Sequence, residues 1–193
     1  MNEQVQSELK NFFNDRFSTS LSTRTNYARG EDTFDPVLSK AVVFPETNAE
    51  VSKILKLCNN HKVPVVPYGT GTSLEGNVVG NENGITISLE KMNKILSVNN
   101  EDFDCRVQAC VTKEQLNDYL REDGIFFPID PGANAAIGGM ASTSASGTMA
   151  VKYGTMKTVI TGLTVILPNG DIINTGTRTK KTSAGYNLTN LFI

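Results

Sequence analysis

Pro67-Tyr68-Gly69-Thr70-Gly71-Thr72-Ser73-Leu74-Glu75-Gly76 decides how this chain is read. It follows Val63-Pro64-Val65-Val66, an apolar, β-branched run, so the loop leaves a strand. Its glycines permit positive φ and let a ligand approach the backbone. Successive N–H groups of such a loop can turn inward as an anion nest, and its Thr and Ser hydroxyls add donors. This suits a pyrophosphate. A Rossmann fingerprint needs G-x-G-x-x-G opening a helix, but Leu74 stands where the third glycine belongs and Asn77-Val78-Val79-Gly80-Asn81 starts no amphipathic helix. A Walker loop needs Gly-Lys-Ser or Gly-Lys-Thr, which is absent. A dinucleotide in some other fold is therefore favoured over both motifs. The loop alone leaves a plain surface loop equally open.

A second stretch shifts that balance. Asp130-Pro131-Gly132-Ala133-Asn134 leads into Ala135-Ala136-Ile137-Gly138-Gly139-Met140-Ala141-Ser142-Thr143-Ser144-Ala145-Ser146-Gly147, and from Gly132 to Ala150 nearly every side chain is small. Such a run implies close approach to another backbone or to a flat ligand. A flavin ring with its ribityl-pyrophosphate chain fits. A Gly/Ser linker is the bland alternative, and Ile137, Met140, Met149 and Val151 argue against it, as does the immediate return to strand patterning.

Outward from these two stretches, Val5, Leu9, Phe12, Phe13 and Phe17 are spaced as one amphipathic helix over residues 3 to 17, and residues 18 to 36 read as a polar loop. Ala41–Phe44 reads as a buried strand. Thr47 with Glu50 is a capping box opening a helix that ends near His61. Val63–Pro67 is a strand whose prolines place it at an edge or a strand start. Ile85–Leu89 alternates as a strand, and residues 95 to 111 form two strands around an acidic turn. Thr112 with Gln115 caps another helix, closed by Gly124. Residues 158 to 167 and 171 to 175 are strands joined by Asn169-Gly170, a hairpin signal. Helices interspersed with short strands and several antiparallel-looking pairs give α+β. The expected domains are an N-terminal helix and loop, 1–37, and a unit 38–193 with lobes of about 38–90 and 91–193.

Composition excludes several classes. With 39% hydrophobic and 20% charged residues the chain looks like a soluble globular protein. A formal net charge of -2 gives no long-range pull toward nucleic acid or anionic lipid. No apolar run approaches the ~20 residues of a membrane span. The polar start lacks secretory or transit patterning. Cys58, Cys105 and Cys110 are too scattered for a disulfide framework or a zinc site, so they read as bystander thiols in a reducing compartment. The apolar end, Leu191-Phe192-Ile193, lacks a stop signal and reads as that of a fragment.

Together these stretches resemble the FAD-binding domain of the vanillyl-alcohol oxidase type of flavoprotein. The resemblance is nearest to the cytochrome-linked D-lactate dehydrogenases and the glycolate oxidase D subunit. It is carried by Val66–Gly76, Phe127–Gly132, Ala145–Thr148 with Val151–Met156, Leu167–Gly170 and Ser183–Thr189, in that order. It implies a two-lobed FAD-binding domain without its C-terminal part and substrate domain. Pro67, Tyr68, Gly69, Thr70, Gly71, Thr72 and Ser73 would hold the pyrophosphate. Pro131, Gly132 and Ala133, with Gly138, Gly139, Met140, Ala141 and Ser142, would line the adenosine and ribityl path. Ser146, Gly147, Tyr153 and Gly154 would approach the flavin, and Val159 and Ile160 would flank the adenine. Ser73 departs from the family's glycine, which a negative φ would tolerate. Some relatives bond the flavin through His or Cys, but neither loop has either residue, so FAD is expected to be non-covalent.

The implied reaction oxidises a D-2-hydroxy acid to the 2-oxo acid, with cytochrome c or a quinone as electron acceptor. No catalytic residue falls in this chain, and a divalent metal and catalytic His are expected in the later domain. A glycolate, alditol or sugar oxidase, or a non-catalytic dinucleotide-binding module, are the alternatives. Localisation stays open between cytoplasm and mitochondrion, with or without peripheral membrane attachment. His61 reads as a helix-end residue. Arg178, Lys180 and Lys181 read as a solvated face or a partner for an anion. Glu101, Asp102 and Asp104 read as a solvated turn. Tyr186 reads as flavin support or core, and Asn187-Leu188-Thr189 fits a glycosylation acceptor without a secretion signal.

Overall fold

The computed structural model describes residues 3–193. Glu3–Phe13 is α1, burying Val5, Leu9 and Phe13. It is shorter than its apolar spacing suggests. Asn14 adopts a φ of 49°, a left-handed value that ends the helix. A 3₁₀ turn, Asn14–Arg16, then leads into β1, Phe17–Ser18. The polar stretch 18 to 36 holds an unanticipated helix, α2, Leu21–Asn26, whose N-cap Ser20 accepts from Thr23 N–H. With six residues and no buried side chain, α2 offers no periodicity to find.

Ala41–Val43 is β2, Asn48–Asn60 is α3, Val65–Tyr68 is β3 and Ile85–Ser88 is β4. They form a sheet of order β1-β2-β4-β3. β1 pairs antiparallel with β2, Phe17 opposite Val43, while β2 and β3 both run parallel to β4, with Val42 and Val66 each opposite Thr86. The heart of this sheet is thus parallel, and α3 is its crossover, capped by Thr47, whose side chain accepts from Glu50 N–H. β3 is an edge strand, where Pro67 removes no interior ladder bond. β4 is central and buried from Ile85 to Ser88 on both faces, so its alternation marks a covered strand and not a half-exposed one. Val5, Leu9, Phe13, Ala41, Val43, Ile54, Cys58, Ile85 and Ile87 share one core. The residues read as an N-terminal helix and loop, 1–37, thus contribute α1 and β1 to this core and sheet.

The chain divides into two units, Met1–Met92 with Ile166–Ile172 and Asn93–Val165 with Ile173–Ile193. In the second, β5 (Ile95–Asn99) and β6 (Asp104–Val107) pair antiparallel around the acidic turn, with a bulge between Ile95 and Ser97. α4, Lys113–Leu120, is capped by Thr112, and a 3₁₀ turn after it ends at Gly124, left-handed at φ 69°. Thr112 accepts from Gln115 N–H, while the Gln115 side chain turns elsewhere, its Nε2 donating to Asn93 O at 2.9 Å. The small-residue stretch holds two short helices, α5 (Ile137–Ser142) and α6 (Ala150–Tyr153).

Where a strand was read from residue 158, Met156–Val159 is a helical turn, α7, with a Thr155–Thr158 capping box. The strand β7 is confined to Gly162–Ile166, and β8 is Ile172–Gly176. β-branched Thr158 and Val159 were outweighed by that cap and by Met156, fully buried in the second core with Val111, Leu116, Ile129, Ile137 and Met140. Gly170 closes the β7–β8 hairpin at φ 85°. The hairpin's tip belongs to the first unit, where Ser52 Oγ donates to Gly170 O at 2.5 Å.

Candidate cofactor site

In the first unit, β3 delivers its last residue, Tyr68, directly into the glycine loop. Tyr68 is held on three sides. Its O accepts from Leu89 N–H at 2.9 Å, its phenol donates to Arg29 O at 3.1 Å, and its ring meets Tyr27 edge-on at 4.9 Å. Tyr27 in turn donates to Glu90, and desolvation followed by that bond pushes its phenol up to about 12. Gly71 is buried at φ 75°, a conformation a side chain resists, with the Tyr68 phenol against its Cα. Thr70 and Thr72 bring their hydroxyls within 3.4 Å of each other. Ser73 is not among the residues of positive φ, so its departure from glycine costs no backbone strain. Pro67 and Gly69 complete the segment on the edge strand and loop.

Among the described residues, no intramolecular acceptor meets the N–H groups of Gly71, Thr72 and Ser73, although Gly71 is buried and its neighbours are half-buried. Consecutive donors left open in a pinned loop are a donor set for an anionic group, and a pyrophosphate fits it.

The loop packs against a segment that the sequence presents only as polar coil. Residues 28–34 run against it. Glu31 N–H donates to Gly71 O at 2.9 Å, and Gly80 N–H donates to Ala28 O at 3.0 Å. Asp32, 7% exposed, accepts from Gly30 N–H at 3.1 Å and from Phe34 N–H at 3.0 Å. Beyond the strap, Ser39 Oγ accepts from Asn81 N–H and from Thr86 Oγ1. No periodicity marks these residues. Gly30 with Asp32 two positions on was the available signal, since Asp bonds nearby backbone in turns.

The second unit carries the small-residue stretch. Asp130 Oδ1 accepts from Gly132 N–H at 3.0 Å and from Lys113 Nζ at 2.8 Å. The lysine bond, then the backbone bond, hold its carboxyl below the usual range. This fixes the turn through Pro131, Gly132 (φ 91°) and Ala133, of which Pro131 and Gly132 are exposed. Gly147 lies with its Cα against the Asp130 carbonyl, bringing Ser146 and Gly147 beside that turn. Tyr153 meets Phe126 edge-on at 5.6 Å, and Gly154 turns at φ 81°.

Gly138 packs on Ala109, whose Cβ would sit 2.7 Å from an added Cβ. A Cβ on Gly139 would meet nothing within 4 Å. Among the described residues nothing requires glycine at 139, and a flat ligand against that helix would. Ser142 is exposed, its Oγ turned back to Gly138 O at 3.0 Å. Ala141 (4% exposed) and Met140 (2%) point into the core, so only their backbone is open to a ligand. Val159 and Ile160 are half-buried against the same core.

Other singled-out residues fall elsewhere. His61 ends α3, as its position suggested. Arg178 is engaged: its guanidinium binds Asp104 at 2.7 Å and Asp102 at 2.6 Å, so the acidic turn between β5 and β6 is its partner and not merely a solvated turn. Tyr186 is 96% exposed, which rules out the core role. Cys58 and Cys110 are buried and Cys105 is exposed, and none of the three forms a disulfide. Burial pushes the Cys58 thiol up to about 11, leaving it inert. Among the described residues no cluster of His, Cys, Asp or Glu could hold a metal. No helix among them is long and apolar enough to cross a membrane.

Residues 39–176 match the FAD binding domain family. The chain is 43% identical over 189 residues to the mitochondrial cytochrome D-lactate dehydrogenase of Arabidopsis thaliana, covering 97% of this chain and 33% of that protein. It is 48% identical over 157 residues to the corresponding enzyme 1 of Saccharomyces cerevisiae, covering 80% and 27%. The chain thus spans about a third of the length of the curated relatives it matches. Its fold superposes on a solved alkyldihydroxyacetonephosphate synthase with a TM-score of 0.87 at 21% identity, covering 100% of this chain and 37% of that one. Its edge-strand glycine loop sits inside the matched segment, and with the fold of the vanillyl-alcohol oxidase type around it, the chain belongs to the FAD binding domain family.

Proposed function

We propose that this chain is the FAD-holding portion of a dehydrogenase that oxidises a D-2-hydroxy acid of the lactate class to the 2-oxo acid. Electrons would leave to a one-electron protein carrier of the cytochrome type or to a quinone. The observation that carries the cofactor part is the pinned glycine loop, with the N–H groups of Gly71, Thr72 and Ser73 open. The substrate part is supported by the D-lactate dehydrogenases among its relatives.

FAD supplies a two-electron acceptor when bound. In the first unit, the backbone of residues 69–73 would hold its pyrophosphate, with the Thr70 and Thr72 hydroxyls beside it. In the second unit, the turn Pro131–Ala133, the open Gly139 and Ser146–Gly147 would take the rest, with Tyr153, Gly154, Val159 and Ile160 around them. Neither segment holds a His or Cys, so the cofactor would be bound without a covalent link. The acid–base group, and any divalent metal, would lie outside this sequence.

The test uses the full-length protein. Acid precipitation is expected to release all yellow colour as FAD, and flavin left on the denatured chain would contradict the non-covalent reading. Anaerobic addition of D-lactate is expected to bleach the bound flavin far faster than L-lactate does. Bleaching by alditols but by no D-2-hydroxy acid would move the protein to another branch of the family.

A further inference from the structure

We propose that residues 28–34 are the positioning element of the glycine loop, with Gly30 and Asp32 its determining residues. The proposal rests on the pyrophosphate reading of that loop. A peptide unit is planar and here trans, so its C=O and the following N–H point in opposite directions. The Gly71 carbonyl is bound by Glu31 N–H at 2.9 Å, which turns the Thr72 N–H away from the strap. The Ser73 carbonyl oxygen also lies close to the strap, 2.9 Å from where a Gly30 Cβ would stand. The strap therefore holds the Gly71 carbonyl and leaves the Thr72 N–H, at the centre of the open donors, on the other side.

Gly30 is glycine for space and not for conformation, since its φ is not positive. A Cβ there would lie 2.6 Å from Gly71 O and 2.9 Å from both Ser73 O and Val78 Cγ2. The first two are backbone atoms of the loop, so an alanine must push the loop off the strap. Asp32 fixes the strap's own turn, bonding the N–H groups on either side of Glu31, the residue that grips the loop. Gly30 and Asp32 thus act through the loop, and neither need touch the cofactor.

In the full-length protein stripped of FAD, the dissociation constant for added FAD, the thermal midpoint before addition and the phosphorus NMR spectrum of bound FAD are measured. Gly30→Ala and Asp32→Ala are expected to weaken FAD by about tenfold or more. Both should shift the pyrophosphate resonances while moving the FAD-free midpoint by no more than about 2 °C. Asp32→Asn, which keeps one acceptor oxygen, falls between, and it decides the matter together with Asp32→Ala if Gly30→Ala does not fold. Asn26→Ala, just before the strap, binds as wild type does. Unchanged affinity and unmoved resonances in the strap variants overturn the proposal. So does a lowered FAD-free midpoint without selective loss of affinity, which makes the strap structural only. Gly71→Ala separates the two layers. If it binds FAD normally, the pyrophosphate reading itself fails; if it loses FAD while the strap variants do not, only the strap is refuted.

Discussion

The glycine loop after β3 and the small-residue stretch from Gly132 to Ala150 look alike in sequence, yet their glycines answer to different forces. In the loop, Gly71 is required by conformation, at φ 75°, and by the Tyr68 phenol against it. In the second stretch, Gly138 and Gly147 are required by close neighbours, at Ala109 and Asp130, Gly132 by its φ of 91°, and Gly139 by neither. A run of small residues therefore records internal packing and ligand approach together, and only the structure tells one from the other.

The sharpest way to break that distinction is Gly147→Val. Its Cβ would overlap the Asp130 carbonyl, so a loss of about 3 kcal/mol in chemical denaturation is expected. A variant within about 0.5 kcal/mol of wild type would show that the contact yields easily. Gly71→Ala comes next, at about 1–2 kcal/mol from forcing a side chain into positive φ.

Gly139→Ala should do the opposite. A free Cβ position inside a helix predicts a gain of about 0.5 kcal/mol, yet FAD affinity should fall if a ligand lies there. A stabilised variant with unchanged affinity would assign Gly139 to neither force.

An effect of similar size lies away from both regions. The Arg16 guanidinium, bonded to Glu50 at 2.7 and 2.8 Å, holds that carboxyl below its ordinary range. A lowered carboxyl stabilises above its unfolded value and loses that contribution as pH falls through its folded value. The stability lost in Glu50→Gln, about 1 kcal/mol near neutrality, should shrink as pH falls below about 4, measured by urea midpoints. A pH-independent difference would assign the pair no electrostatic role.

Much of the fold was legible because local chemistry and tertiary context agreed. Thr47 and Thr112 cap their helices, Gly124 ends one, Pro67 marks the edge strand and Gly170 closes its hairpin. Legibility failed where an element has no apolar face or where a cap overrides propensity. α2 buries nothing, and the Thr155–Thr158 box holds α7 helical through Val159. The parallel pairing of β2 and β3 with β4 also escaped the sequence, because β4, the strand between them, arrives last. At the site, the loop's composition was readable from its glycines and hydroxyls. The strap against it was not, because it meets the loop through the backbone N–H of Glu31, which any residue type supplies, and Gly30 and Asp32 carry no periodicity.

A high-resolution structure of the full-length protein with FAD bound measures the central claim directly. The pyrophosphate oxygens should lie about 2.9 Å from backbone nitrogens among Gly71, Thr72 and Ser73, with the Glu31 to Gly71 bond intact. A pyrophosphate held elsewhere, with those N–H groups facing only water, would contradict it.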